Sequence, residues 1–208
     1  KNQWQPAASM IGFSQEDYST LETIKKTGGI VPDQHWEKNK EKILQAIELT
    51  ASLNIKFLTF HFGFIENSDY ELREKVRFLA DVAEQNNIMI LMESGQESAE
   101  SLKEFLVKLS HPALGVNFDP ANMILYDKGD PVSALETLTP WVKHIHIKDA
   151  RRSAVAGQWG EEVPWGDGDF DNWDDEEKDE AKYWFTRNKI NKITKVHDYL
   201  DSLDAVGK

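Results

Sequence analysis

Four side chains that can bind a metal or transfer a proton recur along the sequence, each near the end of a short, mostly apolar run. These side chains are His61, Glu93, Asp119 and His146, and the runs that contain them are 55–61, 88–93, 114–119 and 142–149, respectively. Carboxylate oxygens together with imidazole nitrogens suit Mn²⁺, Mg²⁺ or Zn²⁺. Carboxylates and histidines are also the usual groups of general acid–base catalysis. The pattern therefore predicts a site that combines a divalent metal with proton transfer.

Each of these residues also has a structural interpretation when it is taken alone. A single histidine at a strand end, such as His61, is commonly a packed structural residue, and an aspartate before a proline, as in Asp119-Pro120, commonly starts a turn. His144 is equally well explained as a residue packed below the site. Glu93 is harder to explain in this way, because burying a charge costs free energy unless it is paired or bound to metal. Four such ends in consecutive units favour a shared site.

The spacing of the four runs predicts repeating strand–helix units. The runs start 33, 26 and 28 residues apart, which is the length of a βα unit. Amphipathic segments between them predict a helix over 36–53 and helices that begin after the N-caps Ser68, Ser98 and Asp130. Strands that alternate with helices imply a parallel sheet. Side chains two apart on a strand share a face, so the polar strand ends are expected on one surface, which in a closed barrel is the interior.

The two ends of the chain are less regular. A strand is expected to end near Met10, followed by a polar loop that holds Gly28-Gly29. Residues 159–172 are rich in glycine, tryptophan and acids and are expected to form a loop, and the spacing of apolar residues over 190–200 predicts a last amphipathic helix.

Charge and composition exclude several classes of protein. The 208 residues carry a net charge of −12, and eleven acids against one base lie between Glu161 and Glu180. An acidic balance argues against nucleic-acid binding, which depends on neutralising phosphates. No apolar run reaches the roughly 18 residues of a membrane helix. The sequence has no secretory signal pattern, and it contains no cysteine, which excludes disulfides and thiolate metal sites. We therefore expect a cytoplasmic protein without nucleic-acid or membrane partners.

The order of several motifs resembles the sugar phosphate isomerase/epimerase family, the xylose isomerase-like TIM barrels. The resemblance runs from Met10 to about Asp171 and covers roughly three quarters of the chain. The segments that carry it are 16–21, 27–29, 59–63, 92–97, 115–123, 144–149 and 160–169. Each motif is weak alone, but their order and spacing together are specific. The resemblance implies an α/β fold of the (β/α) barrel type, with all 208 residues in one domain.

The resemblance also implies a chemistry. Glu93, Asp119 and His146 would bind one divalent metal (Mn, Mg or Zn) together with a further glutamate on the last strand. Glu93 and that glutamate would exchange a proton at the carbon next to a carbonyl, while the metal polarises the carbonyl and stabilises the enediolate. The substrate would be a small sugar, sugar phosphate or polyol. The residues implied to contact it are His61, Gln96, Glu97, Asn122, Lys148, Asp149 and, by stacking, Trp165.

Two departures from the family pattern leave alternatives open. The strand–helix units that precede the Met10 region in the family are absent, and segment 172–208 shows no strand that ends in glutamate. An incomplete barrel would have open sheet edges, which favours a homo-oligomer. A degenerate barrel that binds a ligand or partner without catalysis is therefore an alternative. An apurinic endonuclease-like enzyme is a further one, although Asn122 stands where those enzymes have a metal-binding histidine.

Overall fold

A five-stranded parallel sheet forms the centre of the computed structural model, which describes residues 6–155, 158–164 and 167–169. The strands follow the chain order β1-β2-β3-β4-β5, and each pairs in parallel with the next. Their bounds are Ser9–Met10 (β1), Phe57–Phe60 (β2), Met89–Glu93 (β3), Leu114–Phe118 (β4) and Val142–Ile145 (β5). The four runs predicted from the sequence are therefore confirmed as consecutive parallel strands, and the expected strand end at Met10 is β1.

Within the described part of the chain, six α-helices and one 3-10 turn connect the strands. Their bounds are Leu21–Thr27 (α1), Trp36–Ser52 (α2, preceded by the 3-10 turn Asp33–His35), Tyr70–Gln85 (α3), Ala99–Leu109 (α4), Pro120–Leu125 (α5) and Pro131–Leu138 (α6). Helix α1 was not predicted from the sequence, where its region was taken for a polar loop. No helix among the described residues is both long and apolar enough to cross a membrane.

The helix N-termini follow ordinary capping chemistry, with one correction. Ser98 caps α4 by accepting a hydrogen bond from the Ser101 amide, and Asp130 caps α6, with Pro131 in the first turn. For α3 the predicted cap was Ser68, but the side chain that accepts from the Leu72 amide is that of Asp69. Aspartate and serine are both good N-caps, and so the sequence alone does not separate two adjacent candidates.

The predicted apolar stripes of the helices are buried as expected. On α3 the buried positions are Leu72, Val76, Leu79, Ala80 and Ala83. The outward side chains of β2 are buried too, since Leu58 and Phe60 have no exposed surface. Strands covered on both faces are the normal state of a parallel sheet. The inward polar residues are therefore enclosed by a packed scaffold.

The region after β5 differs from the sequence expectation. The run 142–149 was predicted as one strand, but it divides into β5 and a second strand, Asp149–Arg151 (β6). β6 pairs in antiparallel fashion with Glu161–Val163 (β7), inside the segment predicted as a loop. Gly160 permits this pairing, because a Cβ atom there would lie 2.4 Å from the Arg151 carbonyl oxygen. The predicted final helix and tail, 172–208, lie outside the described residues.

Candidate metal and proton-transfer site

The strand ends bring three of the predicted residues together at the carboxyl edge of the sheet. Glu93 is the last residue of β3, Asp119 follows β4 and His146 follows β5. The strand register aligns them, since Glu93 pairs with Asn117 and Asn117 with His144. Each of the three side chains offers one ligand atom, and those atoms all lie within 4.8 Å of one another. We call this group the carboxyl-end cluster.

In the carboxyl-end cluster, one ring nitrogen of His146 contacts both carboxylates. His146 Nδ1 lies 3.1 Å from Glu93 Oε1 and 3.3 Å from Asp119 Oδ2. Glu93 is 7% exposed and Asp119 is fully buried. These contacts, first with Asp119 and then with Glu93, raise the pKa of His146 to about 10. The two buried carboxylates thus lie close together, and their negative charge favours a cation between them.

Asp119 is fixed in place by its backbone surroundings. Its Oδ1 accepts a hydrogen bond of 3.0 Å from the Asn122 amide, which makes Asp119 the N-cap of α5, and its own amide donates to Ser94 Oγ. The second carboxylate oxygen, Oδ2, is buried and lies near His146 and Lys148, but it accepts no hydrogen bond of normal geometry from the described residues. A carboxylate oxygen that is oriented but not hydrogen-bonded fits a metal ligand. The donor set of two carboxylates and one imidazole therefore fits a divalent cation.

A cavity of about 450 Å³ opens above the carboxyl-end cluster. Glu93 and His146 line it, and so do four residues predicted to contact substrate, namely His61, Gln96, Asn122 and Lys148. The other described lining residues are Met10, Tyr18, Leu125, Tyr126, Trp159, Gly160 and Glu162. This volume suits a small ligand, because ligand pockets span about 300–1,000 Å³.

Lys148 is the cation that extends the cluster into the cavity. Its Nζ donates to Asn122 Oδ1 at 2.9 Å and lies 3.5 Å from Asp119 Oδ2 and 3.3 Å from Glu162 Oε2. Burial alone would lower the pKa of Lys148, but the neighbouring carboxylates of Asp119 and Glu162 outweigh burial and raise it. Lys148 therefore stays charged and can donate hydrogen bonds.

Two of the predicted substrate residues, Glu97 and Asp149, are described but do not line the cavity. Glu97 is buried, and desolvation raises the pKa of its carboxyl to about 8. Asp149 accepts hydrogen bonds from the Ala150 and Gly168 amides and so holds the turn around β6. Trp165 lies outside the described residues.

Two aromatic residues that were not predicted from the sequence form part of the cavity wall. Tyr126 and Trp159 line it with ring centroids 5.2 Å apart, and Phe64 packs edge-on against Tyr126 at 5.8 Å. No sequence signal marked Tyr126, because it follows a six-residue helix, α5, that was not predicted from the sequence. Aromatic side chains can offer stacking faces to a sugar ring, the role expected of Trp165.

His144 lies below the cavity, as its structural interpretation predicted. Its Nδ1 is 2.8 Å from Asn117 Oδ1. Burial, with a smaller contribution from the charge of His146, lowers the pKa of His144. Of the two histidines on this strand end, only His146 meets the carboxylates.

Comparison with known proteins identifies the family to which this arrangement belongs. The sequence model of the xylose isomerase-like TIM barrel matches residues 21–176. The chain belongs to this family. The resemblance drawn from the sequence motifs is therefore confirmed, and so is the fold class, a TIM-type (β/α) barrel whose described part contains five parallel strands.

Two solved structures and one curated enzyme illustrate what the chain is similar to. A xylose isomerase domain protein from Planctomyces limnophilus is 34% identical with a TM-score of 0.74, over 77% of this chain and 60% of that one. A D-tagatose 3-epimerase-like protein shares the fold, with 18% identity and a TM-score of 0.61 over 96% of this chain and 78% of that one. A 3-dehydroshikimate dehydratase from Bacillus anthracis is 28% identical over 91 residues, 41% of this chain and 32% of the enzyme. The chain thus spans about a third of that enzyme.

Proposed function

We propose that this protein is a metal-dependent isomerase or epimerase that moves a proton at the carbon next to a carbonyl of a sugar, sugar phosphate or polyol-derived substrate. The observation that carries the proposal is the convergence of Glu93, Asp119 and His146 on one point beneath a cavity of about 450 Å³. Membership in a family with enzyme relatives supports it.

The three residues would have distinct tasks. Glu93, Asp119 and His146 would hold Mn²⁺, Mg²⁺ or Zn²⁺, which supplies Lewis acid polarisation of a carbonyl oxygen. Glu93 lies at the cavity wall, where its carboxylate can take the proton from the neighbouring carbon while the bonding electrons move towards the carbonyl oxygen. Return of that proton to the adjacent carbon, with the hydroxyl proton passing to the former carbonyl oxygen, would isomerise the substrate. Epimerisation would need a second acid to deliver a proton to the opposite face of the same carbon. Lys148 can donate a hydrogen bond to a substrate oxygen.

The similarity to a dehydratase favours a second candidate function. Elimination of water next to a carbonyl begins with the same proton abstraction and ends with loss of a hydroxyl group from the next carbon. The 91 residues shared with the 3-dehydroshikimate dehydratase at 28% identity are the observation that supports it. The same active carboxylate would serve either reaction, and the products separate them.

The test measures exchange of the proton next to the carbonyl over a panel of substrates, so no single substrate has to be chosen in advance. The full chain, supplied with Mn²⁺, is incubated in D₂O with a panel of ketoses, ketose phosphates and 3-dehydroshikimate. Deuterium at the carbon next to the carbonyl is measured by NMR and loss of water by mass spectrometry. We expect exchange by the wild-type protein and a loss of about 10²–10⁴-fold in Glu93→Gln, because a positioned acid–base group contributes that much.

Glu84→Gln is the matched control, since Glu84 is a half-exposed carboxylate at the other edge of the sheet. We expect that variant to exchange at the wild-type rate. Loss of water without isomerised product would support the dehydratase. Metal binding without any exchange across the panel would contradict both reactions and support the non-catalytic barrel.

A further inference from the structure

A buried carboxylate–imidazole pair lies on the cavity wall outside the carboxyl-end cluster. His61 follows β2 and lines the cavity, and its Nδ1 is 3.4 Å from Glu16 Oε1. The side chains are only 6% and 5% exposed, respectively. Neither ring nitrogen of His61 makes a hydrogen bond of normal geometry to any described residue. A buried imidazole in this state is costly, since a buried polar group without a hydrogen bond loses its hydration and gains no partner in return.

Glu16 is held in place by two backbone amides. Its Oε2 accepts a hydrogen bond of 2.8 Å from the Phe13 amide, and its Oε1 accepts one of 3.1 Å from the Gly29 amide. Burial alone would raise the pKa of Glu16, but the His61 ring and the two amides outweigh burial and lower it. Glu16 is therefore a fixed anion next to one ring nitrogen of His61.

The glycine pair at 28–29 shapes the pocket for this imidazole. A Cβ atom at Gly28 would lie 2.9 Å from His61 Cε1, and one at Gly29 would lie 2.2 Å from the Phe62 carbonyl carbon. Gly29 also has φ of +65°, a conformation that side chains other than glycine rarely adopt. The chain can therefore pass close enough to the end of β2 for the Gly29 amide to reach Glu16. The Tyr18 ring lies edge-on to this imidazole, with the two ring centroids 6.2 Å apart.

We propose that His61 is a second proton-transfer residue of the cavity and that Glu16 is its positioning residue. Glu16 keeps the proton on Nδ1, so Nε2 is left to exchange a proton with a hydroxyl or carbonyl oxygen of the substrate. The proton moves only between Nε2 and that oxygen, and Glu16 stabilises the imidazolium formed in between. The 3.4 Å separation is consistent with this role, because catalytic hydrogen bonds are often long without substrate. The proposal rests on the proposed function for its substrate.

The first test needs no substrate. In the ¹⁵N-labelled full chain, the ring nitrogens of His61 are assigned by their loss in His61→Gln, and long-range ¹H–¹⁵N spectra report which nitrogen carries the proton. We expect the proton on Nδ1 in the wild-type protein and a change of tautomer or of ring shifts in Glu16→Gln. Asp17→Asn is the control, because Asp17 is exposed next to Glu16 and its carboxylate accepts a hydrogen bond from the Ser19 amide.

The second test uses whichever substrate shows deuterium exchange. We expect kcat to fall about 10–10²-fold in Glu16→Gln and further in His61→Gln, with KM and the metal-induced rise in Tm unchanged, and Asp17→Asn to match the wild type. A proton on Nε2 in the wild-type spectrum, or a tautomer that does not respond to Glu16→Gln, would overturn the proposal. If no substrate shows exchange while the spectra follow the expectation, the pairing of Glu16 with His61 is supported and the failure lies with the proposed function.

Discussion

Two groups of one histidine and two carboxylates lie at opposite edges of the same sheet, and they have opposite patterns of burial. One is the carboxyl-end cluster. The other, the amino-end cluster, consists of Asp81 and Glu84 on α3 and His111 before β4. In the carboxyl-end cluster the acids are at most 7% exposed and the histidine side chain 38%. In the amino-end cluster the histidine side chain is 8% exposed, while the acids are 55% and 56% exposed.

The hydrogen bonds explain what this difference means. His111 Nδ1 accepts a hydrogen bond from the Ala113 amide, so the proton of the neutral ring lies on Nε2. Nε2 lies 3.1 Å from Asp81 Oδ1, and so the ring acts as a donor that links α3 to the β4 connection. The acids are solvated and need no cation. The acids of the carboxyl-end cluster are desolvated, and so they require a cation nearby. Residue types alone therefore do not distinguish a metal site from a structural link.

Removing one charge from each cluster should give the largest contrast. We expect Mn²⁺ at a hundred times its Kd to raise the free energy of unfolding of the wild-type protein by about 2.7 kcal/mol. Asp119→Asn should lose most of this stabilisation, because the metal loses a charged ligand while a side-chain oxygen that can cap α5 remains. Asp81→Asn should keep it. Urea unfolding with and without Mn²⁺ measures both, and a metal response lost in Asp81→Asn instead would reverse the assignment.

Glu97 is a buried acid without a histidine partner, and the pH dependence of stability tests what burial alone does to a carboxyl group. Desolvation raises the pKa of Glu97 to about 8, although the charge of Lys128 partly opposes the shift. A folded-state pKa above the unfolded value means that folding favours the protonated form, so this contribution to stability is full at low pH and is lost as pH rises from about 4.5 to 8. We expect Glu97→Gln to match the wild type near pH 5 and to be more stable at pH 9 by roughly 1–3 kcal/mol.

Unfolding free energies measured without metal between pH 5 and 9 would test this prediction. Glu100→Gln is the control, because Glu100 is exposed in the first turn of α4, which begins just after Glu97. Its stability difference from the wild type should stay within about 0.5 kcal/mol at every pH. A pH-independent effect of Glu97→Gln would show that the Glu97 carboxyl ionises normally in the folded protein.

The sequence predicted the parts of the fold that depend on periodicity. The strands around Leu58, Ile90 and Val116 and the convergence of Glu93, Asp119 and His146 follow from apolar runs of regular spacing with polar ends. Parallel strands place their carboxyl ends at one edge, so local patterns were enough.

The sequence did not predict features that depend on close approach between distant segments. Glu16 meets His61 across 45 positions of chain because Gly28 and Gly29 remove the side chains between them. The pairing of β6 with β7 likewise depends on Gly160. Trp159, which lines the cavity just before β7, was not singled out from the sequence for the same reason. Periodicity carries no information about such contacts.

The smallest expected effect comes from the amino-end histidine, and it tests the comparison from the other side. His111→Ala removes the acceptor of the Ala113 amide and the link to Asp81. We expect a loss of about 1–2 kcal/mol in the free energy of unfolding, because a part-buried amide is left without a partner. His111→Asn offers a side-chain oxygen near the position of Nδ1 and should lose less. Both variants should keep the Mn²⁺ response and the deuterium exchange, since the contacts of His111 are structural. An Mn²⁺ response that disappears in both variants, with folding intact by circular dichroism, would mean that the amino-end cluster binds the metal and that burial is the wrong criterion.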